Sequence, residues 1–244
     1  SKNNCKKAIY LLSLVIEMKN EMIADLECLT IRPQGATKAV ILLHGYGANM
    51  HDLFSLHEYL DPQGEWAWFF PNGPIRIPMG QMYEGRAWFA INMAALEAAM
   101  QRGQHRDLSG EVPENFDGMI DQQVHLVEEI QKQYPLTVLG GFSQGAMCSS
   151  HIAMRRPDLL SGLILLSGNL VAVEKWPKVA GKVSWPYFQS HGTHDPILSI
   201  AGAQSLSEKL MENGIAGEFY SFKGAHEIPM GIIEKASLYL KKLF

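Results

Sequence analysis

Short runs of uninterrupted apolar residues alternate along the chain with longer segments in which apolar residues recur every three or four positions. Such runs are typical of strands buried on both faces of a parallel sheet, and the periodic segments are typical of helices packed against it. The predicted strands are residues 40–43, 66–70, 137–139, 163–166, 187–189 and 219–222. This alternation predicts an α/β fold, with a mostly parallel central sheet and helices on both faces.

Helical periodicity is clearest between Phe116 and Ile130, and the predicted helix ends near Pro135. Further helices are predicted at residues 146–156, 199–212 and 230–243. Because no shift in composition divides the chain, we predict a single domain over residues 23–244. Residues 1–22 are predicted to form an N-terminal extension.

Two segments depart from the alternating pattern. Residues 71–85 combine apolar side chains with several prolines and glycines, which interrupt regular elements. A long apolar segment without regular structure is more often a lid or a pocket rim than a linker, so this one is predicted to border a site. Residues 101–115 are polar and are predicted to lie on the surface.

The composition fits a globular protein: of the 244 residues, 47% are hydrophobic and 19% are charged. The formal net charge of -4 argues against a nucleic-acid-binding protein, which needs a surplus of Lys and Arg. Three scattered cysteines argue against a disulfide framework, and a cytoplasmic location is expected. The apolar run at residues 8–16 is too short to span a bilayer, so no transmembrane segment is predicted. Whether this run is the native start, a signal remnant or a misassigned start is left open.

The strongest chemical signal is the sequence Gly141-Phe142-Ser143-Gln144-Gly145, between a predicted strand and a predicted helix. A nucleophilic serine has to project from a tight strand-to-helix turn, and glycines two residues to each side remove side chains that would collide there. The N-terminus of the following helix also favours negative charge that develops beside the serine. Ser143 is therefore a candidate nucleophile.

A serine hydroxyl needs a base to take its proton, and the base needs a partner that orients it. Asp195 comes shortly after the predicted strand at residues 187–189, and His226 comes shortly after the one at 219–222. Because the carboxyl ends of parallel strands lie at the same edge of a sheet, we expect Ser143, Asp195 and His226 to meet there.

Two other interpretations of these loops are open. His191, His194 and Asp195 would be the donors of a metal site, but no established metal-binding spacing supports it, and no metal is predicted. Glu227 is an alternative acid, although it is adjacent to His226 and neighbouring side chains diverge.

The segment His44-Gly45-Tyr46-Gly47 follows the predicted strand at residues 40–43. Glycines on both sides of Tyr46 allow the backbone to approach a substrate oxygen closely. The backbone amides of Tyr46 and Gln144 are therefore candidate donors of an oxyanion hole.

Together these motifs resemble the phospholipase/carboxylesterase family of the α/β-hydrolase superfamily, which includes acyl-protein thioesterases and lysophospholipases. The residues that carry the resemblance lie at 44–47, 141–145, 191–195 and 224–226, with further similarity at 70–74 and 86–89. The resemblance extends from about Leu29 to the C-terminus. It implies an α/β-hydrolase fold without a large cap domain.

The resemblance also implies a cofactor-free serine hydrolase that cleaves carboxylic esters or thioesters through an acyl-enzyme intermediate. Ser143 would be the nucleophile, His226 the base and Asp195 the residue that orients it. The backbone amides of Tyr46 and Gln144 would hold the oxyanion.

Two positions depart from the family pattern. Ala90 stands where family members commonly have an acid, and Tyr46 stands where leucine is frequent. The ring of Tyr46 would narrow the entrance for an acyl chain.

The substrate groove is predicted from apolar residues near the motifs. These residues are Trp88, Phe89, Ile77, Met79, Leu198 and Ile228. The predicted partner is a small-molecule or lipid-like ester or thioester, an acylated protein included, while no cofactor and no nucleic acid is predicted and a homodimer is left open. The alternative function is a non-catalytic ligand-binding or sensor protein on the same scaffold; a peptidase would need a cap domain, for which the length leaves little room.

Overall fold

The computed structural model describes residues 18–78, 84–177 and 183–244. Its strands are β1 (Met18–Ile23), β2 (Leu26–Ile31), β3 (Lys38–Leu43), β4 (Trp66–Pro71), β5 (Ile75–Pro78), β6 (Glu84–Ala87), β7 (Leu136–Phe142), β8 (Gly162–Leu166), β9 (Tyr187–Gly192) and β10 (Gly217–Phe222). Its α-helices are α1 (Leu56–Leu60), α2 (Met93–Gln101), α3 (Phe116–Gln131), α4 (Gln144–Arg155), α5 (Ile200–Glu212) and α6 (Met230–Leu243).

Eight strands form one twisted sheet in the order β1-β2-β4-β3-β7-β8-β9-β10. The pairs β1–β2 and β2–β4 are antiparallel, and every other neighbouring pair in this sheet is parallel. All six strands predicted from apolar runs lie within β3, β4, β7, β8, β9 and β10, and the prediction of a mostly parallel sheet is confirmed.

Alternate residues of β3 show how both faces of the sheet are covered. Ala39, Ile41 and Leu43 belong to the hydrophobic cluster beneath α3, α4 and α5. Val40 and Leu42 point the other way, into the cluster beneath α1 and α6. Burial of each larger aliphatic side chain here contributes roughly 1.5–3 kcal/mol, so both layers of helices are held by the hydrophobic effect.

The predicted helices are present with small shifts at their ends. α3 buries Phe116, Ile120 and Ile130, which lie on the apolar stripe seen in the sequence. α4 begins at Gln144, two residues earlier than predicted, because the turn at Ser143 leads straight into the helix. The helix α5 is capped by Ser199, whose hydroxyl accepts the backbone amide of Gly202 at 3.0 Å.

The segment at residues 71–85 is more regular than predicted. Its described part contains β5, which pairs antiparallel with β6, so the expectation of an irregular segment is wrong there. Strand pairing satisfies the backbone despite the prolines and glycines. Arg86 ties this small sheet to the loop after β3, since its amide donates to the carbonyl of Ala48 and its carbonyl accepts the amide of Gly47. Residues 79–83 lie outside the described residues.

The edge strand β1 was not predicted, because its exposed and half-buried residues do not form an apolar run. The predicted domain boundary between residues 22 and 23 falls inside β1, and residues 1–17 lie outside the described residues. Between β6 and α3 the chain forms only α2 and a loop. The described residues therefore contain no separate cap domain over the carboxyl edge of the large sheet. In the same described ranges, no helix combines the length and the apolarity needed to cross a membrane.

Candidate active site

Ser143 occupies a strained turn between β7 and α4. Its backbone has φ 54° and ψ -117°, a region that residues with a side chain rarely adopt and that typically costs of order 1–3 kcal/mol. The glycine two residues after it is required by packing: a Cβ on Gly145 would stand 2.0 Å from the carbonyl oxygen of Leu43 in β3. The turn is anchored to β8 because the amide of Ser143 donates to the carbonyl of Leu166 at 2.8 Å.

Asp195 and His226 are in direct contact. The Nδ1 atom of His226 lies 2.6 Å from Oδ2 of Asp195, whose carboxylate is buried. The other oxygen, Oδ1, accepts the backbone amides of Ile197 at 2.8 Å and Leu198 at 2.9 Å. Burial raises the pKa of Asp195, but the hydrogen bond and charge of His226, together with the two amides, outweigh it and hold the pKa below its ordinary value. The carboxylate is therefore kept ionised.

Neighbouring parallel strands explain why these two residues meet. β9 and β10 are paired, and the loops that follow them are bonded to each other: the amide of His194 donates to the carbonyl of Gly224. A Cβ on Gly192 would stand 2.1 Å from the carbonyl oxygen of Ala225, so the two loops touch at a position where only glycine fits. The expected meeting at the carboxyl edge of the sheet is thus present for this pair.

Three other polar side chains in or beside these loops, those of His191, His194 and Glu227, bond within the same region. His191 is fully buried, and its Nε2 contacts the carbonyl of Leu198 at 2.9 Å; burial lowers its pKa. His194 contacts its neighbour Thr193. Among the described residues, no group of three or more His, Cys, Asp or Glu residues is arranged to hold a metal ion. Glu227 accepts the amide of Ala225 at 3.0 Å within its own loop.

The loop after β3 is held by His44. Its Nδ1 donates to the carbonyl of Gly45 at 2.7 Å, and its Nε2 accepts the amide of Gly73 at 2.9 Å. The indole of Trp88 donates to the carbonyl of His44 at 2.8 Å. Burial lowers the pKa of His44 to about 4, so this imidazole is neutral at pH 7 and serves as both donor and acceptor.

This loop approaches Ser143 closely. A Cβ on Gly45 would lie 3.4 Å from the Cβ of Ser143, and the next residue, Tyr46, lines the same cavity as Ser143 and Gln144. Gln144 is the first residue of α4, where helix geometry leaves the backbone N–H without a partner inside the helix. Both residues that were predicted to supply the oxyanion donors therefore line the cavity that contains the serine.

Ser143 and His226 open into one cavity of about 320 Å³. Most of its wall is apolar, and the side chains that supply it include Ile91, Met93, Leu96, Leu108, Met147 and Leu198. Two charged residues, Asp52 and Arg106, also line it. A mostly apolar cavity with a few polar groups at one place is the usual form of a small-molecule site.

The predicted substrate groove is largely displaced from this cavity. Leu198 lines it as predicted, whereas Trp88 and Phe89 are buried in the hydrophobic core and Ile77 lies on β5. Ile228 packs against the opposite cluster. Trp88 is drawn inward because its indole donates to the backbone of the loop beneath it, so it supports the wall of this cavity and does not form it. Phe89 lines a separate, smaller cavity. Met79 lies outside the described residues.

Sequence reasoning missed the helix α2 and the loop after it as cavity walls. Met93 and Leu96 come from α2, a short helix in an alanine-rich stretch. Arg106 and Leu108 come from the segment predicted to be a polar surface loop, and Leu108 is buried. The signal that could have located this wall was the single leucine within the polar stretch.

A mostly parallel sheet, helices on both faces and a strained serine between a strand and a helix together define the α/β-hydrolase class. Within that class, residues 28–244 match the phospholipase/carboxylesterase family, and the chain belongs to that family. The matched range includes every residue of the site described above.

Individual proteins are also similar to this chain, in sequence or in fold. Acyl-protein thioesterase 1 of Schizosaccharomyces pombe is 28% identical over 203 residues, which cover 79% of this chain and 84% of the relative. A carboxylesterase of Bacillus cereus has a similar fold, with a TM-score of 0.69 at 22% identity, covering 90% of this chain and 95% of the other. Acyl-protein thioesterase 2 of Zea mays gives a TM-score of 0.67 at 23% identity, with coverage of 88% and 98%.

Proposed function

We propose that this protein is a serine hydrolase that cleaves carboxylic esters or thioesters through an acyl-enzyme intermediate. One observation carries the proposal: the strained Ser143 lines the same apolar cavity as His226, and Nδ1 of His226 is hydrogen-bonded to the buried carboxylate of Asp195. A nucleophile, a base and an orienting acid in this arrangement are the requirements for acyl transfer.

Each group has a definite role in this mechanism. Asp195 accepts a hydrogen bond from the Nδ1–H of His226, which leaves Nε2 of the neutral imidazole with a free lone pair. Nε2 takes the hydroxyl proton of Ser143 while the hydroxyl oxygen attacks the substrate carbonyl. Collapse of the tetrahedral intermediate expels the alcohol or thiol, which receives that proton, and a water molecule then releases the acyl group by the same steps.

Two backbone amides stabilise the negative charge of the tetrahedral intermediate by donating hydrogen bonds to its oxygen. The proposed donors are the amides of Tyr46 and Gln144, because both residues line the cavity that contains Ser143 and the amide of Gln144 lies at the positive end of the α4 dipole. Loss of a single donor from such a pair typically slows the reaction by about 10²–10³. The hydrogen bonds of His44 support this assignment, because they hold the loop that carries Tyr46.

The apolar cavity supports an acyl group as the part of the substrate that is enclosed. The names of the relatives agree with this substrate class: the S. pombe and Z. mays proteins are acyl-protein thioesterases, and the B. cereus protein is a carboxylesterase. We therefore extend the proposal to lipid-like esters and thioesters, including acyl groups carried on proteins.

The test is covalent labelling with a fluorophosphonate. The wild type is expected to bind one phosphonate per chain, located on Ser143 by peptide mass spectrometry, because the oxygen that His226 activates attacks phosphorus. His226→Ala should lose nearly all labelling, whereas Asp121→Asn, an exposed acid on α3, should label like the wild type.

Labelled and unlabelled protein are then compared on a matched panel of p-nitrophenyl esters and acyl thioesters. Hydrolysis that stops when Ser143 is labelled supports the proposal. A wild type that is neither labelled nor active on any member of the panel would contradict it and favour a ligand-binding protein on the same scaffold.

A further inference from the structure

Arg106 stands between two cavities. It lines the cavity that contains Ser143, here called the reactive cavity, and also a smaller space of about 160 Å³, here called the end cavity. The two cavities share the side chains of Ile91, Arg106 and Leu108, so these three form the partition between them. The end cavity would add about half of the reactive cavity's volume if the partition opened.

The guanidinium of Arg106 is fixed at both of its terminal nitrogens. Nη1 donates to the carbonyl of Asn92 at 3.1 Å, and Nη2 forms an ion pair with the carboxylate of Glu111. Because the head group is held, the aliphatic stem covers apolar surface, as long basic side chains commonly do. The side chain is only 20% exposed, so it is part of the wall and not a freely moving surface residue.

The segment that carries Arg106 is held as well. The carbonyls of Ser109 and Glu111 accept the amides of Val173 and Ala172. Leu108 is buried in the core cluster, and the Nε2 atom of His105 lies 2.7 Å from the carbonyl oxygen of Asp195. The partition therefore has a fixed position relative to the acid that faces His226.

The chemistry of the two spaces decides what would pass between them. Phe89, Val112, Pro113 and Val171 give the end cavity a wall that is mostly apolar, although Asn92 and the ion pair of Arg106 and Glu111 also line it. A third cavity, which Arg106 and Leu108 also line, is bordered mainly by polar residues such as Asp107, Ser199 and Ser205. An acyl chain that grows beyond the reactive cavity would gain more by burial in the end cavity than in the polar one.

We propose that Arg106, pinned by Glu111, is the specificity-determining residue that limits acyl-chain length by closing the reactive cavity against the end cavity. The inference rests on the proposed function, since it concerns the acyl group of the same substrate. Removal of the side chain beyond Cβ is expected to join the two spaces. Each further methylene buried there is worth about fourfold in transition-state binding.

The experiment measures kcat/KM for p-nitrophenyl esters from acetate to decanoate. Arg106→Ala is expected to raise the ratio of kcat/KM for octanoate ester to that for butyrate ester by about 16-fold over the wild type, which corresponds to about two additional buried methylenes. Glu111→Gln keeps the stem but weakens its anchor, so its profile should shift the same way by a smaller factor. Arg102→Ala is the matched control, because Arg102 is exposed on the same segment and bonds to Gln104.

A wild-type profile in Arg106→Ala would overturn the inference while leaving the proposed function intact. If Arg106→Ala does not fold, Glu111→Gln decides by the direction of its shift, and an unchanged profile counts against the inference. If the wild type cleaves thioesters but no ester, the same acyl series is measured as thioesters. If it cleaves neither, the proposed function fails and calorimetric binding of butyrate and octanoate decides separately. Tighter octanoate binding by Arg106→Ala than by the wild type would then support the partition, and equal binding would overturn it.

Discussion

The neighbouring strands β7 and β8 are each followed by a serine, and the two serines are alike in backbone but differ in their surroundings. Ser143 follows β7 with φ 54°, and Ser167 follows β8 with φ 50°. Each donates its backbone amide across the sheet, to the carbonyls of Leu166 and Ser190 respectively. Two serines thus have a positive φ at the same edge of one sheet.

Their side chains differ in access. Ser167 is fully buried, and its hydroxyl donates to the carbonyl of Glu227 at 3.4 Å. Ser143 lines the reactive cavity together with His226. Strain at a strand end therefore reflects how the chain leaves the sheet, and it does not by itself mark a nucleophile. Access to a cavity and a base within that cavity are what distinguish Ser143.

The largest effect that tests this comparison is expected from replacing each serine by alanine. Ser143→Ala should lower kcat/KM for p-nitrophenyl butyrate by at least about 10⁴, because the nucleophile is removed. Ser167→Ala loses one long hydrogen bond, so its activity should stay within about threefold of the wild type and its free energy of unfolding should fall by about 1 kcal/mol. Equal losses of activity in the two variants would contradict the conclusion that access to the reactive cavity distinguishes Ser143 from Ser167.

The second effect concerns the glycines after the two serines. A Cβ on Gly145 would meet a backbone carbonyl oxygen of β3 at 2.0 Å, while one on Gly168 would meet the methyl group of Ala146 at 2.5 Å. Gly145→Ala is expected to lose about 3 kcal/mol of stability and most activity, because β3 and the loop after it must move. Gly168→Ala should lose about half as much stability.

Differential scanning calorimetry and ester hydrolysis measure both changes. Gly231→Ala provides the control, since a Cβ there meets nothing within 4 Å and alanine on the first turn of α6 should not lower the stability. A Gly145→Ala protein with the wild-type melting temperature would contradict the close packing of this turn.

The smallest effect is a pH dependence of stability at the acid edge of the site. Because the pKa of Asp195 is lower in the folded protein than its ordinary value of 3.8, its ionised form stabilises the fold above that pH. This contribution is expected to disappear as the pH falls through the lowered value. The free-energy difference between wild type and Asp195→Asn, from urea unfolding at about pH 3 to 7, should therefore shrink toward low pH.

Asp52 supplies a control with the opposite sign. Burial raises its pKa above 3.8, so the folded state holds a proton more tightly than the unfolded state does. Its contribution to stability should therefore fall as the pH rises through 3.8 and the raised value. Curves of the same sign for Asp195→Asn and Asp52→Asn would contradict these environments.

The contact between Asp195 and His226 could be predicted because each residue comes shortly after a buried parallel strand. Buried parallel strands are readable as apolar runs, and the residues that follow them share one edge of the sheet. The order in which the strands follow one another along the chain can be read from the sequence, and so can the glycines that the turns need. The same logic placed Ser143 at that edge.

The walls of the cavity could not be predicted in this way. An aromatic pair such as Trp88 and Phe89 is equally suited to a core and to a groove, and hydrogen bonds from distant segments decide which it becomes. β5 and β6 owe their regularity to pairing with each other, which no periodicity within either short strand reveals. Arg106 lies in a polar stretch whose burial depends on contacts with residues far along the chain, at 172 and 173.

Gln144 joins these two kinds of information in one residue. Its side-chain oxygen accepts the amide of Trp88 at 2.9 Å, and its side-chain nitrogen donates to the carbonyl of Phe89 at 2.7 Å, as an adjacent strand would. These two hydrogen bonds hold the first turn of α4 and the loop at residues 88–89 in a fixed position relative to each other. An engineer who transplants a different loop here would also tilt the reactive turn, unless the new backbone presents the same pair of groups to this glutamine.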